Sequence, residues 1–149
     1  MIAAFHVDGR EVTIEGDWNR SLLSILREEL DLQSAKPGCE IGRCGACTVL
    51  LDGEPVNSCL VPLAHVEGRT VTTAEGLPVM EVETAMQMLD ELHAAQCGYC
   101  INGLLVMLVW LQLHETGSVD PRLLLAGNLC RCSAQTALAR SLEPETVPT

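Results

Sequence analysis

Four cysteines constrain the fold of this chain more than any other feature. Cys39, Cys44 and Cys47 form a C-x4-C-x2-C run, Gly38-Cys39-Glu40-Ile41-Gly42-Arg43-Cys44-Gly45-Ala46-Cys47, and Cys59 follows after eleven more residues. Three thiols on one tight loop with a distant fourth suit a [2Fe–2S] cluster, in which each iron takes two terminal thiolates beside the bridging sulfides. Gly42 and Gly45 let the loop backbone curl and aim its N–H groups at the sulfurs.

This spacing resembles the ligand pattern of plant-type ferredoxins. The fourth thiol can be placed by counting. Thr48-Val49-Leu50-Leu51 reads as a strand, Asp52-Gly53 as a two-residue hairpin turn, and Glu54-Pro55-Val56 as the return. With Leu51 facing Glu54, Cys47 lies opposite Ser58 and the hairpin delivers Cys59 to the other three. Buried or disulfide-bonded cysteines are the alternative, and neither accounts for both the spacing and the turn.

A length of 149 residues allows one domain or two small ones, and a hydrophobic content of 48% supports a core. That core is aliphatic, because there is one Phe and one Tyr. Two small domains would each gain from a metal centre. A formal charge of −11 argues against nucleic acid and anionic membrane as partners. The first nine residues show neither a basic segment nor a long apolar one, and the apolar run Leu104–Leu111 is too short to span a bilayer. The expectation is a cytoplasmic chain without membrane insertion, in a compartment where clustered cysteines mean metal or catalysis.

Phe5-His6-Val7 and Glu11–Ile14 read as a hairpin through Asp8-Gly9. Asp17-Trp18-Asn19 supplies capping candidates for a helix carrying Leu22, Leu23, Ile25, Leu26 and Leu30. The cluster loop, the second hairpin and a strand at Thr70–Thr73 complete a β-grasp order. After Gly76-Leu77-Pro78 the pattern turns helical: 81–95, 101–115, 121–126 and 133–142. The expected fold class is α+β, a ferredoxin-like domain over 1–76 and a four-helix bundle over 77–149, with a loose tail from about 143. The 101–115 helix is apolar nearly all round and belongs in the centre.

Cys97-Gly98-Tyr99-Cys100 and Cys130-Arg131-Cys132 supply four more thiols, with twenty-nine residues between Cys100 and Cys130. A helix from 101 to 115 climbs roughly 22 Å. A turn at Gly117-Ser118, a short helix and an extended Gly127–Leu129 can return the chain, so both pairs meet at one end of the bundle. Cys100 and Cys132 each precede a predicted helix, whose first N–H groups favour an anionic centre. On spacing alone the set also admits structural zinc or a thioredoxin-like C-x2-C pair, the latter without a βαβ context.

Taken together, the stretch from Gly38 to Val49, Cys59, Gln96-Cys97-Gly98-Tyr99-Cys100 and Gly127–Cys132 resemble the small iron–sulfur subunit of the molybdenum hydroxylases, the xanthine oxidase family. The resemblance covers all but the tail. It implies two [2Fe–2S] clusters, with Cys39, Cys44, Cys47 and Cys59 as ligands of one and Cys97, Cys100, Cys130 and Cys132 as ligands of the other. It also implies a large molybdopterin-binding partner subunit where substrate is hydroxylated with oxygen from water. Electrons then pass through the helical-domain cluster, the ferredoxin-like cluster, and FAD on a medium subunit or a cytochrome. Gln96 and Cys132 would lie against the pterin. The chain departs from the family pattern at Ile101-Asn102-Gly103, often Thr-Pro-Gly, and at Ser133-Ala134-Gln135, often Thr-Gly-Tyr. The Asn-Gly pair is similar to that of members acting on N-heteroaromatic acids.

Other residues have plainer readings. His6, His65, His93 and His114 are solvent-exposed or packing residues, and Met80–Met88 is an amphipathic core face. Glu28, Glu29 and Asp31 form a solvated helix edge, and Trp18 and Trp110 are packing anchors. Arg43 is an exposed charge in the first loop, able to tune a potential or meet a partner. Three functions compete: an electron-transfer subunit of a molybdenum hydroxylase, a free-standing two-cluster ferredoxin-type carrier, and a zinc-stapled interaction protein.

Overall fold

The computed structural model describes residues 2–114 and 120–142. The turn expected at Gly117-Ser118 and the tail from about 143 lie outside the described residues. β1 (Ile2–Val7) and β2 (Arg10–Glu15) form the first hairpin, with Val7 opposite Arg10 across Asp8-Gly9. α1 (Leu22–Glu28) follows, then β3 (Thr48–Leu51), β4 (Glu54–Asn57) and β5 (Thr70–Thr72). The sheet order is β2-β1-β5-β3-β4; β1 and β5 run parallel, and the other neighbours antiparallel. Leu51 pairs with Glu54 and Thr48 with Asn57, the register set by the Asp52-Gly53 turn.

Local chemistry corrects the start of α1. Its N-cap is Ser21, whose hydroxyl accepts the Ser24 N–H at 3.3 Å, a bond worth about 1 kcal/mol. Asp17 instead accepts the Asn19 N–H in the preceding turn at 3.0 Å. Trp18 is 61% exposed, so it is not the packing anchor expected of it. Leu22, Leu23, Ile25 and Leu26 are buried against Phe5, Val49, Leu51 and Val71, each full burial contributing roughly 1.5–3 kcal/mol. Glu28 and Glu29 both pair with Arg20.

The second half contains α2 (Val79–Glu91), α3 (Ile101–Leu113), α4 (Pro121–Leu125) and α5 (Ala134–Ser141). Asn102 through Val109 are all buried, so α3 is the central helix its sequence predicts. Gln112 near its end donates to the Glu81 carbonyl near the start of α2 at 3.2 Å, so the two helices run antiparallel. The methionine segment is only partly a core face. Ala85 and Leu89 are buried, whereas Met80 and Met86 face solvent. Trp110 is half-buried and stacks on His114 with ring centroids 4.6 Å apart.

β3 joins the two halves. All four of its residues are buried. Successive side chains alternate, so Val49 and Leu51 enter the sheet–α1 core while Leu50 enters the helical core. A strand covered on both faces reads as a continuous apolar run, and Thr-Val-Leu-Leu is such a run.

Candidate iron–sulfur centres

The first thiol set occupies the loop between α1 and β3. Asp52-Gly53 turns the hairpin so that the Cys47 carbonyl accepts both the Ser58 N–H at 3.3 Å and the Ser58 hydroxyl at 2.7 Å. Ser58 lies next to Cys59, so the hairpin delivers that thiol to Cys47. Gly42 adopts φ +73°, a left-handed conformation that turns the loop. The Arg43 N–H donates to Cys39 Sγ at 3.2 Å and the Cys39 N–H to Cys44 Sγ at 3.3 Å. The loop backbone therefore points donors at sulfur, as its glycines suggest.

These donors polarise the metal-free thiols. The Ile41 and Arg43 N–H groups lower Cys39 to about 7. Burial, followed by contact with Cys47, raises Cys59 to about 11. A chain that must present four thiolates has to release a proton from the half-buried Cys59 when metal enters.

The second thiol set gathers at the start of α3. Cys100 caps that helix, and Cys97 Sγ lies 3.5 Å from Cys132 Sγ. Burial and then Cys130 push Cys100 up to about 12. Burial also pushes Cys130 up, but Cys100 and the N–H groups of Ala134 and Gln135 outweigh it and leave the thiol lowered. The Ala134 N–H at the start of α5 is 3.2 Å from Cys130 Sγ, so this helix terminus serves Cys130. α5 begins after Ser133, which holds φ +80°. The Tyr99 N–H lowers Cys97, and contact with Cys97 raises Cys132.

The thiols gather at two loci: Cys97 Sγ lies against Cys132 Sγ, the Cys39 N–H donates to Cys44 Sγ, and Cys47 with Cys59, like Cys100 with Cys130, act on each other's ionisation. Two pairs at each locus fit a two-iron cluster, whose four thiolates divide between the irons. Among the described residues, no three His, Cys, Asp or Glu side chains gather at a single-ion point. All four histidines are exposed.

The two loci adjoin. A cavity of about 250 Å³ is lined by thiols of both, together with Tyr99, Leu129 and Arg131. The Leu129 N–H donates to the Cys44 carbonyl at 2.9 Å. The Tyr99 hydroxyl donates to the Pro37 carbonyl. Asn102 donates its amide hydrogens to the Ala46 and Thr48 carbonyls at 2.9 and 3.1 Å. Gly103 sits so close that a Cβ there would lie 2.1 Å from the Gly45 carbonyl oxygen. Gln96 Nε2 donates to the Cys132 carbonyl at 2.7 Å, so the structure brings together the two residues the family pattern paired. Sequence reasoning missed the Asn102 and Tyr99 tethers.

Comparison with known proteins agrees with this layout. A 2Fe–2S iron–sulfur cluster binding domain matches residues 5–72, and a [2Fe–2S] binding domain matches residues 73–143. One of the subunits of nicotinate dehydrogenase from Pseudomonas putida is 39% identical, covering 93% of this chain and 90% of that protein. The iron–sulfur-binding subunit PaoA of an Escherichia coli aldehyde oxidoreductase is 34% identical, covering 96% of this chain and 70% of that protein. The crystal structure of quinoline 2-oxidoreductase from Pseudomonas putida 86 matches with a TM-score of 0.75 at 30% identity, covering 95% of each chain.

Proposed function

The chain belongs to the small iron–sulfur subunits of the molybdenum hydroxylases and is an electron-transfer subunit, and we propose from that membership how its own residues serve the task. Cys39 and Cys44 would hold one iron of the ferredoxin-like cluster, and Cys47 and Cys59 the other. Cys97 with Cys132, and Cys100 with Cys130, would do the same in the helical half. The observation that carries this assignment is the gathering of four thiols at each locus, with Cys97 Sγ 3.5 Å from Cys132 Sγ and one cavity lined by thiols of both loci. When bound, the clusters supply one-electron carriage.

The remaining residues orient and insulate these ligands. Backbone N–H groups of Arg43 and Ala134 donate to ligand sulfurs, which favours their anionic form. The ferredoxin-like domain spans 1–76 and the helical domain runs from 77, where Leu77 enters the helical core. Gln96 and Cys97 are exposed, and Gln96 holds the Cys132 carbonyl, which supports the reading that this edge faces the molybdopterin of the large subunit. FAD on a medium subunit, or a cytochrome, would be the acceptor beyond the Cys39–Cys59 locus. The substrate on the large subunit is a purine, an N-heteroaromatic or an aldehyde, hydroxylated with oxygen from water.

No helix among the described residues is long and apolar enough to cross a membrane. The clustered cysteines support a reducing compartment, and on this reading the complex works in the cytoplasm. Size-exclusion of the native material tests the subunit reading. Co-elution with a molybdenum-containing large chain supports it. A lone species of 16.1 kDa carrying all the iron overturns it in favour of a free-standing carrier.

A further inference from the structure

We infer that Asn102 is a positioning residue that fixes the separation of the two cysteine loci through its side-chain amide. The inference rests on the ligand assignment proposed above. Asn102 is the second residue of α3, two positions after Cys100, and it is buried. Its amide donates to the carbonyls of Ala46 and Thr48, which flank Cys47. One side chain therefore ties a ligand segment of the helical locus to a ligand segment of the ferredoxin-like locus.

Helix formation does not require asparagine here. Proline is well suited to the first turn, and long aliphatic residues are better helix formers than asparagine. Asn102 Oδ1 is buried without a partner, an unfavourable arrangement that an apolar side chain would avoid. What asparagine provides is the two-carbonyl grip. Gly103, the next residue, has no side chain to hold α3 away from the Gly45 carbonyl, so the grip acts where α3 packs directly on the cluster loop.

The test uses the assembled complex, fully reduced, and reads the magnetic interaction between the two paramagnetic clusters by low-temperature EPR, with iron counted in each sample. Asn102→Leu keeps the branched side-chain shape and removes both donors. The expected result is loss or narrowing of the spin–spin splitting at unchanged iron content, with Asn102→Gln, which keeps the amide, restoring part of it. Asn102→Pro is read in the same way if the leucine variant does not assemble. Splitting retained in a loaded leucine or proline variant overturns the inference and leaves the ligand assignment standing. Absence of cluster signals from the wild-type complex overturns the assignment itself.

Discussion

Replacing Gly103 with alanine sets helix propensity against packing, and the structure decides the sign. Position 103 lies within α3 without a positive φ, where alanine is favoured over glycine by about 1 kcal/mol. A Cβ there would stand 2.1 Å from the Gly45 carbonyl oxygen and 2.5 Å from Asn128 Oδ1. The first contact is backbone on a loop held by Leu129, so no rotamer change relieves it. Reaching ordinary contact requires the two halves to separate by more than about 1 Å, an overpacking cost of about 1–3 kcal/mol. That displacement also breaks the two Asn102 hydrogen bonds, at about 1 kcal/mol each. The net expectation is destabilisation of about 2–4 kcal/mol, read as a fall of about 5–15 °C in the unfolding midpoint of the metal-loaded chain. Gly127→Ala is the control: nothing lies within 4 Å of its Cβ, and the change should stay within about 0.5 kcal/mol. A Gly103→Ala chain as stable as wild type would refute the close approach of α3 to the cluster loop.

Gly42→Ala should cost about 1–2 kcal/mol, because φ +73° is left-handed. Adding Leu60→Ala should recover little of it in denaturant titrations, since exposed Leu60 can swing away from the new methyl; full recovery would mean that the clash and not the backbone sets the cost. In the metal-free chain at pH 7.5, mass spectrometry after iodoacetamide should find Cys39 labelled well before Cys59 or Cys100. Its thiolate forms near pH 7, and the other two near 11 and 12. Lowering the pH below 7 protonates Cys39 and should slow its labelling; equal rates at all three thiols would contradict the backbone-donor account. Cys44→Ser should lower iron from about four to about two per chain and leave one set of cluster signals. Loss of all iron would show that the two loci do not load separately.

Much of the fold was legible because its signals are local. Asp52-Gly53 set the register of β3 and β4, and therefore the position of Cys59. The unbroken apolar surface of residues 104–110 marked α3 as central. Errors arose where neighbouring residues offered equivalent local chemistry. Asp17, Asn19 and Ser21 can all cap a helix, and the tertiary hydrogen bond from the Leu22 N–H to the Val61 carbonyl helps set the start at Ser21. Trp18 and Met80 looked like core residues by type, but packing left them outside. The tethers at Asn102 and Tyr99 connect segments more than fifty residues apart, and no periodicity or turn pattern encodes such a meeting. The cysteine spacings indicated which thiols gather. Their division into pairs emerges only when the loop, the α3 terminus and the Cys130–Cys132 segment are placed together.

Metal analysis of anaerobically purified native material, with optical and EPR spectra before and after dithionite, tests the central claim most directly. The two-by-two arrangement of thiols predicts about four irons and no zinc per chain, visible absorption that bleaches on reduction, and two distinct reduced-cluster signals. Colourless protein containing zinc, or silent by EPR after reduction, would contradict it.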